Sequence, residues 1–449
     1  MWLIKKLGID KSIAYSSAGQ MVSAGGGFIT ALFILKFLSG EEQGYYYTFK
    51  SILAIQVFFE LGMNTVITQY VAHDVSHLNW EGVTLAGEQR YLSRLASLLR
   101  FCTKWYTFFS TILLISLIVG GYAFFNQYGN QGQDIDWEIP WFILCVTTAL
   151  NLLITPIFSY LQGLGKVKEV QKYYFYKYTF YLVSVLVSFS LGAKLYALSI
   201  GNIVYILVSC FFLFCTPLGR IVWNISRIKV TEKISYIKEI LPFQWKIAVS
   251  WISGYFIFQL FNPVIFAIDG AVAAGQMGMT LTVLTGIQAL TYSWTSTKIP
   301  TYSGLIEKKQ YPQLDRLFYY TVRQAVSVNA VCLMGFFAFI FCFRHFDITI
   351  SQINLADRFL PYLPLILMML PEFANQFITA WATYLRCHKQ EPFHIYSIVT
   401  AILCCISTLG IGHIWGTNGI TAGYCMITLA LTPWAYNIFK TKRHLWHNN

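Results

Sequence analysis

Apolar residues in this chain gather in long stretches separated by short polar punctuation, without the two-residue alternation of half-buried strands. A run longer than about 18 residues is what a helix needs to cross the hydrocarbon layer of a bilayer. The pattern predicts spans at 12–38, 44–70, 100–125, 140–162, 173–193, 195–216, 243–268, 276–299, 321–343, 359–385, 394–414 and 417–439. The expected fold class is therefore an all-α polytopic membrane protein of about twelve transmembrane helices. The longest polar interruptions are 71–99 and 217–242, and the second divides the spans six and six. This predicts an N-terminal six-helix lobe over 1–216, a basic linker over 217–242 and a C-terminal six-helix lobe over 243–449.

Composition strengthens this reading. Of 449 residues, 56% are hydrophobic and only 12% charged, against roughly 25% charged in soluble domains. A net charge of +12 would point to nucleic acid in a soluble protein, but here the basic residues collect on one membrane face. All but Lys36, Lys50, Lys194, Arg344 and Arg358 of the 32 lysines and arginines fall in loops and helix ends on the side of the N-terminus. That asymmetry places both termini in the cytoplasm, and no nucleic-acid partner is expected. Lys5 and Lys6 precede an apolar run too long for a removable signal, so it reads as the first span. Most of the ten cysteines lie in apolar segments as small hydrophobes, and only Cys387 lies near a loop.

Polar residues at membrane depth carry the most information, because a charge near the bilayer centre costs about 2.5–3.5 kcal/mol on insertion scales. In the second span Gln56, Glu60 and Asn64 recur every four residues, predicting one polar face. In the tenth, Glu372, Gln376, Thr379, Thr383 and Arg386 form a similar stripe behind a segment expected to bend at Pro361, Pro364 and Pro371. Lys50, Lys104, Lys177, Lys246, Lys298 and Arg323 complete the cationic set. Lysines and arginines near helix ends can snorkel to the headgroups, whereas Glu60 and Glu372 are too short and too deep to do so. A bundle with both signs inside it reads as a conduit.

Catalytic constellations are weak. Asp134-Ile135-Asp136 spells the carboxylate pair of a metal-dependent glycosyltransferase, but in a short acidic outer loop a solvated turn explains it as well. No zinc spacing and no phosphate-binding Gly-Lys-Ser/Thr loop occurs in the sequence, so neither cofactor nor metal is expected and the chain is read as a non-enzyme. Asp269-Gly270 reads as a turn at the outer face.

The segments Glu42-Gln43-Gly44-Tyr45-Tyr46-Tyr47-Thr48-Phe49 and Gln56-Val57-Phe58-Phe59-Glu60-Leu61-Gly62 resemble the O-antigen flippases of Gram-negative bacteria. So do Ala274-Gly275-Gln276-Met277-Gly278-Met279-Thr280, Leu314-Asp315-Arg316-Leu317-Phe318 and Ala382-Thr383-Tyr384-Leu385-Arg386 with Glu391-Pro392-Phe393. Those flippases share a superfamily with the MATE-type multidrug exporters and the lipid II flippases. The resemblance implies a two-lobed, V-shaped transporter in the bacterial inner membrane. It would carry undecaprenyl-diphosphate-linked oligosaccharide to the periplasmic leaflet by alternating access, driven by a proton or cation gradient, among other polysaccharide assembly proteins. Lys50, Lys177, Lys246, Lys298, Arg323 and Arg386 are the expected substrate-binding cations, and Glu60 and Glu372 the expected ion-coupling carboxylates. A multidrug or organic-cation exporter of the same fold, and a membrane glycosyltransferase or polymerase, are the competing readings. Reporter fusions test the orientation: a fluorescent protein joined within 217–242 or at the C-terminus should fluoresce, whereas alkaline phosphatase at the same points should stay inactive.

Overall fold

The structure, a computed structural model, describes residues 11–129, 135–232, 241–350, 353–388 and 390–447. Lys5, Lys6 and Asp134 lie outside these residues. The described chain is almost wholly helical. It runs through α1 (Lys11–Phe37), α2 (Gly40–Leu53), a 3-10 turn (Ala54–Gln56), α3 (Val57–Glu60) and α4 (Met63–Val75). The helices α5 (Gln89–Tyr128), α6 (Glu138–Gly163), α7 (Val167–Ser190), α8 (Tyr196–Phe214) and α9 (Pro217–Ser226) follow. Then come α10 (Leu241–Phe258), α11 (Phe261–Ser296), α12 (Ile299–Glu307), α13 (Tyr311–His345), α14 (Tyr362–Cys387) and α15 (His394–His447).

Nine described stretches are long and apolar enough to span a membrane. Two of them, Ala248–Glu307 and His394–His447, hold 60 and 54 residues, or roughly 80–90 Å of helix at 1.5 Å per residue, far more than one crossing. Each is interrupted by a glycine that leaves helical geometry, Gly270 at φ 85° and Gly416 at φ 56°. Around Gly416 the chain folds back on itself: a Cβ at Gly412 would meet Ile420, and one at Gly423 would meet Ser407. That is the pairing of an antiparallel helical hairpin. Counting both stretches as two crossings and adding the tyrosine-rich α7, whose Lys177 lowers its hydropathy, brings the total to twelve.

Two strand pairs occur among the described residues. Leu78–Glu81 and Thr84–Gly87 pair as an antiparallel hairpin in the expected cytoplasmic loop 71–99, and Thr349–Ile350 pairs with Ile353–Asn354. The Lys166 Nζ lies 3.7 Å over the Trp80 ring and fastens the first hairpin to the start of α7.

The chain divides into two compact units, one made of residues up to Leu38 with Ile52–Ile252, the other of Ser39–Ser51 with Ser253 onward. In the first, α1 lies along α7, α7 along α8, and α6 against α4, α5 and α8. The packing is aromatic: Phe158 and Tyr173 stack 3.5 Å apart, and Trp141 Nε1 donates to the Leu117 carbonyl at 3.2 Å. In the second, α11 packs on α13, α14 and α15, and α14 lies along α15. Phe108, Leu207, Phe214, Met334 and Ile406 point outward and exposed, as a lipid-facing surface requires.

The second unit also receives α2, and the reason lies in its sequence. Ser39-Gly40-Glu41-Glu42 forms a capping box: Ser39 N–H donates to Glu42 Oε2 at 2.7 Å, and Glu42 N–H to Ser39 Oγ at 3.1 Å. With its start fixed, α2 presents Gly44 to Ala271 and Tyr47 to Gly278 of α11, while Gln43 Nε2 donates to the Gly275 carbonyl at 2.8 Å. Small residues let helix backbones approach closely where lipid supplies no hydrophobic drive. The segments Gly44–Tyr47 and Gly275–Gly278, which open the second and eighth spans, are thus the two faces of one contact. A Cβ at Gly44 would lie 1.9 Å from the Ala271 carbonyl oxygen, whereas one at Gly27 meets nothing within 4 Å. Gly44→Ala should therefore cost about 1–3 kcal/mol and lower the thermal midpoint of the purified protein, while Gly27→Ala, in open space within α1, should hold or raise it.

Candidate functional site

The second span breaks where its carboxylate lies. After Glu60 the chain takes two left-handed residues, Leu61 at φ 48° and Gly62 at φ 65°, before α4 begins. Glycine adopts that conformation freely, but for leucine it costs roughly 1–2 kcal/mol, and the surroundings must hold it. Gln244 of α10 does so, its Nε2 donating to the Leu61 carbonyl at 3.4 Å. The expected continuous face of Gln56, Glu60 and Asn64 is therefore not formed. A 3-10 turn ends at Gln56, and the left-handed pair turns Asn64 onto a separate helix.

Lys177 of α7 faces this break. It is 1% exposed, so it does not snorkel, and it interacts electrostatically with Glu60. Its Nζ lies 3.6 Å over the Tyr205 ring, 5.0 Å from Tyr173 and 5.8 Å from Tyr174. The aromatic faces stand in for part of the water that the lysine has lost. Tyr205 of α8 carries no signal in the sequence, because its position opposite the α7 tyrosines emerges only on packing.

In the second unit Glu372 follows Pro371 on α14, which stays helical through that proline while Pro361 and Pro364 start the helix rather than bend it. Around it lies a polar network. Asn375 Nδ2 donates to the Tyr424 hydroxyl at 3.0 Å, Thr291 Oγ1 to Gln376 Oε1 at 2.8 Å, and Gln288 Nε2 to Thr379 Oγ1 at 3.3 Å. Three buried oxygens, Glu372 Oε1, Gln288 Oε1 and Asn329 Oδ1, have no donor among the described residues. Buried acceptors without donors suit a proton or a small cation. Asn329 is a further depth-placed polar residue; an asparagine inside the apolar ninth span was its signal.

The other expected residues fare differently. Lys50, in the last turn of α2, is exposed, its Nζ 5.6 Å from the Tyr46 ring. Lys298, at the start of α12, and Arg323, within α13, are exposed. The side chain of Lys246 lies outside the described residues. Arg386 is held in a fork by Glu391, with Nε to Oε2 at 2.6 Å and Nη2 to Oε1 at 3.1 Å. Asp269 is structural: it accepts from Thr417 N–H at 2.5 Å and Oγ1 at 2.6 Å, capping the helix that follows Gly416. Asp136 accepts from the Tyr196 hydroxyl at 2.9 Å, tying down its loop.

At the end of α14, His388 packs 4.7 Å from the Trp446 ring and 6.2 Å from His447, beside Tyr384, which donates to Asp315 at 2.7 Å. Burial, helped by His447 and opposed by Asp315, lowers the His388 imidazole from 6.5 to about 4. The folded protein thus keeps it neutral where the unfolded chain binds a proton, so its contribution is complete above pH 6.5 and is lost as pH falls toward 4. Melting curves should show this acid loss of stability, and His388→Asn should flatten it between those two values.

No family model matches this sequence, and no curated protein matches it. Solved structures do, across the whole length. A multidrug resistance MATE family transporter of the MOP superfamily, in its inward-facing conformation, is 12% identical with a TM-score of 0.64, covering 98% of this chain and 100% of that one. Lipid II flippase MurJ in an inward closed conformation is 14% identical with a TM-score of 0.58, covering 96% and 89%. A MOP superfamily transporter from Pyrococcus furiosus, described as having a binding pocket of reversed polarity, is 13% identical with a TM-score of 0.54, covering 97% and 95%. At these identities the likeness is one of architecture, and the chain has the fold of the MOP superfamily transporters.

Proposed function

We propose that this chain is a flippase that moves a polyprenyl-diphosphate-linked oligosaccharide from the cytoplasmic to the periplasmic leaflet of a bacterial inner membrane. The single observation that carries the reading is Lys177, a wholly buried lysine set among tyrosines at membrane depth. A pocket built for organic cations favours buried carboxylates; a buried lysine beside hydroxyl-bearing rings favours anionic, sugar-bearing cargo. The fold is shared by a multidrug transporter, by a lipid II flippase and by a transporter described as reversed in pocket polarity, so polarity is the property that separates the readings.

Glu60 and Glu372 serve as the ion-coupling groups in this scheme. Glu60 sits at a broken helix, the feature that gathers coupling sites in secondary transporters, and Glu372 sits among acceptors that lack donors. Exchange of a proton or small cation at either would reset the carrier after release of its cargo.

Deletion followed by lipid analysis tests the class. Polyprenyl-diphosphate oligosaccharide should accumulate and surface polysaccharide disappear; altered drug resistance with normal polysaccharide would instead indicate an exporter. Lys177→Met tests the role of the charge. Removing one partner of a buried pair is destabilising, whereas replacing both is neutral or stabilising, so Lys177→Met alone should lower the melting temperature and Lys177→Met with Glu60→Gln should restore it. Translocation in proteoliposomes should fall at least tenfold, a loss of about 1.4 kcal/mol.

A further inference from the structure

A cavity of about 510 Å³ opens in the second unit where α11, α12 and the end of α14 meet. Its size falls in the range of small-molecule pockets, about 300–1,000 Å³. Tyr292, Ser303, Glu307, Thr383, Arg386 and Cys387 line it. By the charge asymmetry of the loops this end of α14 is cytoplasmic, the side from which a lipid-linked headgroup would enter.

The sequence alone makes Arg386 a clamp for diphosphate, but the charges around the cavity weigh against that. Arg386 is already forked to Glu391, and Glu307 adds a second carboxylate to the one guanidinium. Both ends of α12 and the C-terminus of α14 reach the cavity, so no uncompensated helix N-terminus favours an anion there. What remains is a mixed set: guanidinium donors, carboxylate acceptors, and three hydroxyls that both donate and accept. Vicinal sugar hydroxyls require that mixture, whereas a diphosphate requires donors alone. The Tyr292 ring adds an apolar face for a pyranose.

We propose that this cavity is a glycan subsite, binding the sugar of the cargo and not its diphosphate, with the Arg386 guanidinium, its charge offset by Glu391, as a donor for sugar hydroxyls. The assignment rests on the flippase reading and names which part of the cargo this place receives.

Cys387 supplies the probe, because its thiol is free and lines the cavity, while exposed Cys215 lies in the other unit and serves as the internal control. Purified full-length protein in nanodiscs would be labelled with maleimide and each cysteine peptide quantified by mass spectrometry. Two ligands would be compared: the glycan released by mild acid from the polyprenyl-diphosphate pool of the producing cells, and inorganic pyrophosphate. The glycan should slow labelling of Cys387 at least fivefold and leave Cys215 unaffected, and pyrophosphate should change neither. Tyr292→Ala should abolish that protection, and Glu307→Gln, at an exposed position, should weaken it at least threefold with the fold intact. Protection by pyrophosphate in place of the glycan, or by neither ligand, would overturn the subsite. Translocation in proteoliposomes without glycan protection removes the subsite and leaves the flippase standing; protection without translocation does the reverse.

Discussion

Inside a hydrocarbon layer a backbone N–H or C=O has no water to pair with, and each one left open costs several kcal/mol. The architecture follows from that constraint. Every crossing among the described residues is helical, and where a helix stops a side chain from elsewhere takes over the released group. Gln244 holds the Leu61 carbonyl at the break in the second span. Asp269 takes the Thr417 N–H beside Gly416, and Thr280 Oγ1 accepts from Leu360 N–H where α14 begins. The capping box of Ser39 and Glu42 does the same within one segment.

These interruptions are also where chemistry collects. A broken helix exposes polar backbone, and polar backbone tolerates charged neighbours that a continuous helix in lipid would not. Glu60 sits on the last helical residue before a left-handed pair, and Glu372 follows Pro371, whose missing N–H leaves the Leu367 carbonyl without its helical donor. Around each carboxylate the neighbours differ: a lysine and tyrosines in one unit, amides and hydroxyls in the other. The first holds a partner of opposite sign, while the second surrounds its carboxylate with neutral amides and hydroxyls.

The basic residues divide by the same logic. Lys177 lies in the middle of a tyrosine cluster and is sealed from lipid. Lys298 at the start of α12 and Arg323 within α13 are both exposed. Arg386 is engaged by a carboxylate five residues on, around the turn that leaves α14. Four side chains of one sign thus meet three different fates, set by which helix packs beside each.

The sequence by itself determined the crossings and the two depth-placed carboxylates, because bilayer thickness and the cost of buried charge act on any chain in the same way. It placed a boundary between 414 and 417, and Gly416 is where α15 turns back. It also singled out the glycine segments at 44–47 and 275–278, though not that they touch each other. Only the tertiary structure decided that contact, the break that separates Glu60 from Asn64, the burial of Lys177 and the pairing of Arg386. Each of these depends on how one helix is rotated against its neighbour. Hydropathy records how deep a residue lies, whereas the direction its side chain takes is settled by packing.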